Sequence, residues 1–135
     1  LGCFNAMKAC LSFAGRPVDF HGVTVGIQGL GATGFKLADM AIGLRTADLL
    51  VAAAVTRAEE GRLSDADVSM VKVYCSEMLN RTADDAVQIF GGMGLVEEMP
   101  IQRLWREARL ESIWAGTSEI QRHIISRSIL RPLGA

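Results

Sequence analysis

The sequence predicts an all-α fold, a bundle of helices, on three observations. Two long stretches, 35–60 and 65–90, repeat apolar residues at helical spacing. Strand signals are almost absent. Glycines, prolines and hydroxyl residues stand where helices would begin and end. At 135 residues and 50% hydrophobic, the chain has material for one core, so a single domain over 1–135 is expected.

Residues 1–13 are apolar-rich and read as the end of a helix. With no initiating methionine ahead of Leu1, the chain reads as a piece of a longer protein. Residues 14–34 are glycine-dense (Gly15, Gly22, Gly26, Gly29, Gly31, Gly34), which disfavours helix and predicts an atypical loop. From about Phe35 to Glu60 the stripe is Leu37, Met40, Ala41, Leu44, Ala47, Val51 and Ala54, with Gly61 as stop. The second helix, Asp65 to Phe90, takes Ser64 as N-cap and Val68, Val71, Cys75, Met78, Leu79, Ala86 and Ile89 as its stripe. Gly91-Gly92-Met93-Gly94 ends it, and Pro100 opens a short helix through about Ala108. The last helix begins after Gly116, capped by Thr117 or Ser118. Ser118-x-x-Gln121 fits a capping box, Ile120, Ile124, Ile125 and Ile129 form its apolar face, and Pro132 stops it.

A net charge of −1 gives no electrostatic case for nucleic acid or a membrane surface, and no apolar run is long enough to span a bilayer. Cys3, Cys10 and Cys75 lie in apolar helical patterns without metal-ligand spacing and read as core residues of a reducing compartment. His21 and His123 are isolated, and there is no nucleophile triad.

Two motifs could carry chemistry. Gln88-Ile-Phe-Gly-Gly-Met-Gly94 ends a helix, and its paired glycines let a ligand approach the backbone. The simpler reading is a helix terminator. Trp114-Ala-Gly-Thr-Ser118 enters a helix N-terminus, whose N–H groups and dipole favour an anion or a polarised carbonyl. There the simpler reading is an ordinary capping turn. Arg103, Arg106, Arg109, Arg122 and Arg127 read as solvated residues or partners of Glu107, Glu111 and Glu119, with Arg122 and Arg127 able to meet a phosphate. Trp105 and Trp114 read as packing anchors before ligand platforms.

Together, Gln88–Gly94, Pro100–Ala108 and Trp114–Arg122 resemble the signature of the acyl-CoA dehydrogenase family, and Phe35-Lys-Leu-Ala-Asp-Met40 matches a helix start in the same family. The resemblance runs from residue 35 to the C-terminus. It implies the four-helix-bundle-like C-terminal domain of an FAD-dependent dimer or tetramer, without the family's N-terminal helical and middle β domains. By that resemblance Gln88, Gly91 and Gly92 would contact FAD held mainly by a neighbouring subunit, and Thr117 and Glu119 FAD of their own. The N–H of Ala115 would meet the thioester carbonyl, Trp114 and Gly116 would lie on the substrate side, and Arg127 toward CoA. The implied reaction is α,β-desaturation of an acyl-CoA, with electron-transferring flavoprotein as acceptor, in a bacterial cytoplasm or a mitochondrial matrix.

Two features depart from the family pattern. Ala115 stands where most members carry the glutamate base, and some branches place that base on the preceding helix. Upstream, Phe13 to Gly22 distorts the family's arginine–phenylalanine–glutamine segment, with Arg16, Phe20, Gly22 and Gln28 as an alternative register.

Overall fold

The computed structural model describes residues 31–131. The described residues form four α-helices and one short 3-10 turn: α1 (Ala32–Glu59), α2 (Asp65–Phe90), the turn Gly91–Leu95, α3 (Ile101–Glu111) and α4 (Ser118–Leu130). The expectation of an all-α fold holds. The expectations for residues 1–30, including Cys3, Cys10, His21 and the upstream segment, lie outside the described residues, as does Pro132.

Local chemistry places several boundaries. At the end of α1, Gly61 takes φ 67°; its N–H donates to the Ala58 carbonyl at 3.0 Å and the Arg62 N–H to that of Arg57 at 2.8 Å. This is the paired-bond stop that a left-handed glycine allows. Ser64 Oγ accepts from the Asp67 N–H at 3.2 Å while the Asp67 carboxylate accepts from the Ser64 N–H at 2.9 Å, a reciprocal capping box at α2.

Two boundaries differ from the sequence reading, and a third settles a choice it left open between Thr117 and Ser118. Helix α1 starts at Ala32 with Gly31 as N-cap, so Gly34 is helical and the expected loop ends sooner among the described residues. Helix α3 continues to Glu111, past Ala108, because nothing in Arg109-Leu110-Glu111 stops a helix. Thr117, not Ser118, caps α4: its Oγ1 accepts from the Ile120 N–H at 3.4 Å. The Ser118–Gln121 capping box is therefore not made.

Helix α2 is the central element, and α1, α3 and α4 each pack against it. Met40, Ala86, Met99 and Ile101 form the core where α1, the end of α2, the 3-10 turn and α3 meet; Leu37, Val87, Phe90, Val96 and Leu104 pack around it. Burying a residue like Ile101, 1% exposed, contributes roughly 1.5–3 kcal/mol.

The buried face of α2 meets the expected stripe in part. Ala86 is buried and Val71, Cys75, Met78 and Leu79 are half-buried, but Val68 is 50% exposed, Ile89 is also exposed, and the other buried positions are the small residues Ala66, Ser69, Ser76 and Ala83. Ala41, Leu44 and Val51 of α1 and Ile120 and Ile129 of α4 are exposed as well. Close helix approach selects small residues at the seam. At Gly43 of α1 an added Cβ would stand 2.9 Å from Met78 Cγ of α2. Among the described residues, no helix is long and apolar enough to cross a membrane.

Candidate functional site

The turn between α3 and α4 is the most constrained backbone among the described residues. Ala115 sits at φ 51° and Gly116 at φ 90°. A left-handed alanine costs roughly 1–2 kcal/mol, so the surroundings must hold it. They do so from several directions. The Trp114 N–H donates to the Leu110 carbonyl at 3.1 Å and the Ser118 N–H to that of Ser112 at 3.2 Å. Gln121 Nε2 donates to the Ala115 carbonyl at 3.2 Å and lies 3.5 Å from the Gly116 oxygen. Lys72 Nζ, from the central helix, donates to the Gly116 carbonyl at 2.7 Å. The N–H groups of Ala115, Gly116 and Thr117 have no acceptor among the described residues. Three successive N–H groups at a helix N-terminus form a ready hydrogen-bonding surface for an oxyanion or a carbonyl.

A polar network supports the turn from below. Asn80 Nδ2 donates to the carbonyls of Ser76 and Ala108, each at 2.7 Å, and to Ser112 Oγ at 3.0 Å. Arg122 of α4 pairs with Glu77 of α2 at 2.6 Å, and this guanidinium holds the Glu77 carboxyl below its ordinary value of 4.5. Glu119 is also held below its ordinary value, first by a backbone N–H and then by the Thr117 hydroxyl. Thr117, Ser118 and Glu119 line a groove of about 390 Å³ with Glu77, Asn80, Arg81 and Arg109. Trp114 is exposed, its indole N–H donating to Glu111 at 2.8 Å, and Trp105 is 42% exposed; neither is a packing anchor here.

The second motif lies at the other end of α2. Its glycines have different roles. Gly91 takes φ 59° as the C-cap, a conformation that favours glycine. Gly94 is buried, and an added Cβ would stand 2.9 Å from the Val87 carbonyl oxygen. Gly92 meets neither demand, since its backbone is not left-handed and no atom lies within 4 Å of an added Cβ. The terminator reading thus accounts for Gly91 and the packing of Gly94, while Gly92, beside exposed Gln88, leaves the backbone open.

The candidate residues form three separate groups. Gln88 is sixteen residues beyond Lys72, so about 24 Å along α2 from the turn's anchor. Arg127 is ten residues beyond Thr117, about 15 Å along α4. It lines a different groove, of about 730 Å³, with Ser64, His123 and Arg131. Of the expected ion pairs, Arg103–Glu107 forms at 3.5 Å, but Arg122 pairs with Glu77 in place of Glu119. Cys75 is a half-buried thiol, pushed up by burial and then by the Asp48 charge. The sequence reading missed Lys72, Asn80 and Gln121. A lysine between Val71 and Val73, and an amide in mid-helix, were the available signals.

Such a fold is a helical module with a set of unpartnered backbone N–H groups at the α3–α4 turn and an open glycine backbone at the far end of α2. Residues 2–130 match the family model described as the acyl-CoA dehydrogenase C-terminal domain, and the chain belongs to the acyl-CoA dehydrogenase family. It is 43% identical over 97 residues to the mitochondrial short-chain specific acyl-CoA dehydrogenase of Rattus norvegicus, covering 72% of this chain and 24% of that protein. It is 41% identical over 98 residues to the probable acyl-CoA dehydrogenase fadE25 of Mycobacterium leprae, covering 72% and 25%. Among solved structures, butyryl-CoA dehydrogenase of Megasphaera elsdenii superposes with a TM-score of 0.72 at 32% identity, over 95% of this chain and 34% of that one. A probable acyl-CoA dehydrogenase of Mycobacterium abscessus gives 0.75 at 32%, over 95% and 33%. The chain thus spans about a quarter of the length of the curated relatives it matches.

Proposed function

We propose that this chain is the C-terminal helical domain of an FAD-dependent acyl-CoA dehydrogenase that introduces an α,β double bond into an acyl-CoA thioester. The single observation that carries the reading is the Ala115–Thr117 turn, held left-handed at φ 51° and 90° with its N–H groups turned to no partner among the described residues. An N–H at Ala115 aimed at the thioester oxygen would stabilise enolate character and so acidify the α-proton.

The residues suit FAD. Gly92 leaves room at the backbone beside Gln88 and Gly91, and Thr117 and Glu119 open a helix N-terminus onto a groove. Bound FAD would supply the acceptor for the β-hydrogen as hydride. The separation of about 24 Å along α2 suits contacts to two cofactor molecules, with Gln88, Gly91 and Gly92 reaching the one held mainly by a neighbouring subunit. The domain would thereby work in a homodimer or homotetramer and pass electrons to an electron-transferring flavoprotein. Its place would be a bacterial cytoplasm or a mitochondrial matrix. Trp114 and Gly116 fall to the substrate side. Arg127, in its own groove, would reach only the distal part of CoA.

Ala115 cannot remove a proton, so the dehydrogenase reading takes the base to be a carboxylate elsewhere in the complete enzyme. That absence also motivates a second reading, a helical structural module that has lost catalysis. The test is anaerobic titration of the full-length, flavin-loaded protein with a panel of acyl-CoAs. Bleaching of the flavin band supports the dehydrogenase; bound flavin that no acyl-CoA reduces, or a colourless protein, overturns it. Ala115→Glu separates the cases further: activity appears or rises if the base was lost, and stays flat or falls if another carboxylate already acts.

A further inference from the structure

We infer that Lys72 is a positioning residue for the thioester-binding turn, fixing the Ala115 N–H through the Gly116 carbonyl. The inference rests on the acyl-CoA reading above. Lys72 stands on α2, forty-four residues before Gly116, yet its ammonium donates to the Gly116 carbonyl at 2.7 Å in a partly buried contact. This is a charge-assisted bond, shorter and stronger than a neutral one. Gln121 approaches the preceding peptide from α4 and donates to the Ala115 carbonyl at 3.2 Å. Its amide packs so close over Gly116 that a Cβ there would stand 2.7 Å from Nε2.

The two donors grip successive carbonyls on the C-terminal side of the strained alanine. On the N-terminal side the Trp114 N–H is tied to Leu110 at 3.1 Å. Between these fixed points the Ala115 N–H has one direction available. The left-handed alanine would relax toward a right-handed conformation if the Gly116 carbonyl were released, and that relaxation would swing the N–H away. A displacement of about 1 Å in a reacting pair can cost on the order of 100-fold in rate. The same grip sets the entry angle of α4, whose first turn carries Thr117 and Glu119.

The test uses the full-length, flavin-loaded protein and a chromophoric dimethylaminocinnamoyl-CoA, whose absorption moves to longer wavelength as its thioester carbonyl is polarised. Wild type should show the red shift. Lys72→Met should bind the probe but lose most of the shift, with kcat lowered on the order of 10- to 100-fold and KM little changed. Lys72→Arg should recover most of the shift. If Lys72→Met keeps the full shift and kcat, the inference is overturned while the acyl-CoA reading stands. A wild type that binds no acyl-CoA probe overturns both. Should Lys72→Met fail to fold, Lys72→Gln carries the comparison: its shorter neutral amide falls short of Gly116, so the shift drops, and an undiminished shift overturns the assignment.

Discussion

The side-chain amide of Asn80, in the middle of α2, donates to the backbone carbonyl of Ala108 at 2.7 Å, the last turn of α3. The same nitrogen reaches Ser112 Oγ and the Ser76 carbonyl, so two hydrogens serve three acceptors. The α3–α4 turn stands on this network. Asn80→Ala should leave the Ala108 carbonyl without its donor at a cost of about 1–3 kcal/mol. Calorimetry of the full-length protein should show a melting point lowered by several degrees; an unchanged one would mean water replaces the amide without loss.

Gly92 and Gly94 should separate binding from folding. Gly94→Ala pushes a methyl against the Val87 backbone, 2.9 Å away, and should destabilise by roughly 1–3 kcal/mol. Gly92→Ala meets no atom and should leave the melting point within a degree or two, yet weaken flavin retention during gel filtration. Equal flavin content in Gly92→Ala and wild type would remove Gly92 from the cofactor contacts.

Gly116→Ala should be more damaging than a methyl normally is. Its φ of 90° strains any L side chain, and the new Cβ displaces the Gln121 amide. Backbone strain of this kind costs about 1–3 kcal/mol. We expect both lower stability and loss of acyl-CoA-dependent flavin reduction, read by calorimetry and by anaerobic titration of one preparation.

The Glu77–Arg122 pair predicts the acid limb of stability. Arg122 lowers the folded-state carboxyl below its ordinary 4.5, so the contribution is fully present above that value. It is lost as pH falls through the lower folded value. Because Arg122 is 53% exposed, solvent limits the effect to about 1 kcal/mol or less. Melting curves between pH 6 and 3, on the order of the carboxylate range, should converge for wild type and Glu77→Gln at the acid end. A constant gap across that range would refute the assignment.

Helix ends were the most legible part of the sequence. Ser64 and Gly61 act through bonds to residues within five positions, so their meaning survives without the rest of the fold. The Ser118–Gln121 capping box failed at the same scale because Thr117 offered a competing hydroxyl one residue earlier. For the site, Ala115, Gly116, Thr117 and the glycine motif were readable as a turn and a stop. Their separation into distinct groups was not, since it depends on how far α2 extends between them.

The helical class, the Ser64 and Gly61 boundaries and the family motifs could be read from the chain alone, because periodicity and capping are short-range properties. Tertiary packing settled which faces are buried. Val68, Ile120 and Ile129 are exposed while Ser69, Ser76 and Ala83 are buried, since α2 is approached by three helices and close approach rewards small side chains over apolar ones. It also decided that Lys72, Asn80 and Gln121 secure the α3–α4 turn. Those bonds join residues up to forty-four positions apart, and a partner that distant is fixed by packing rather than by the residues around either end.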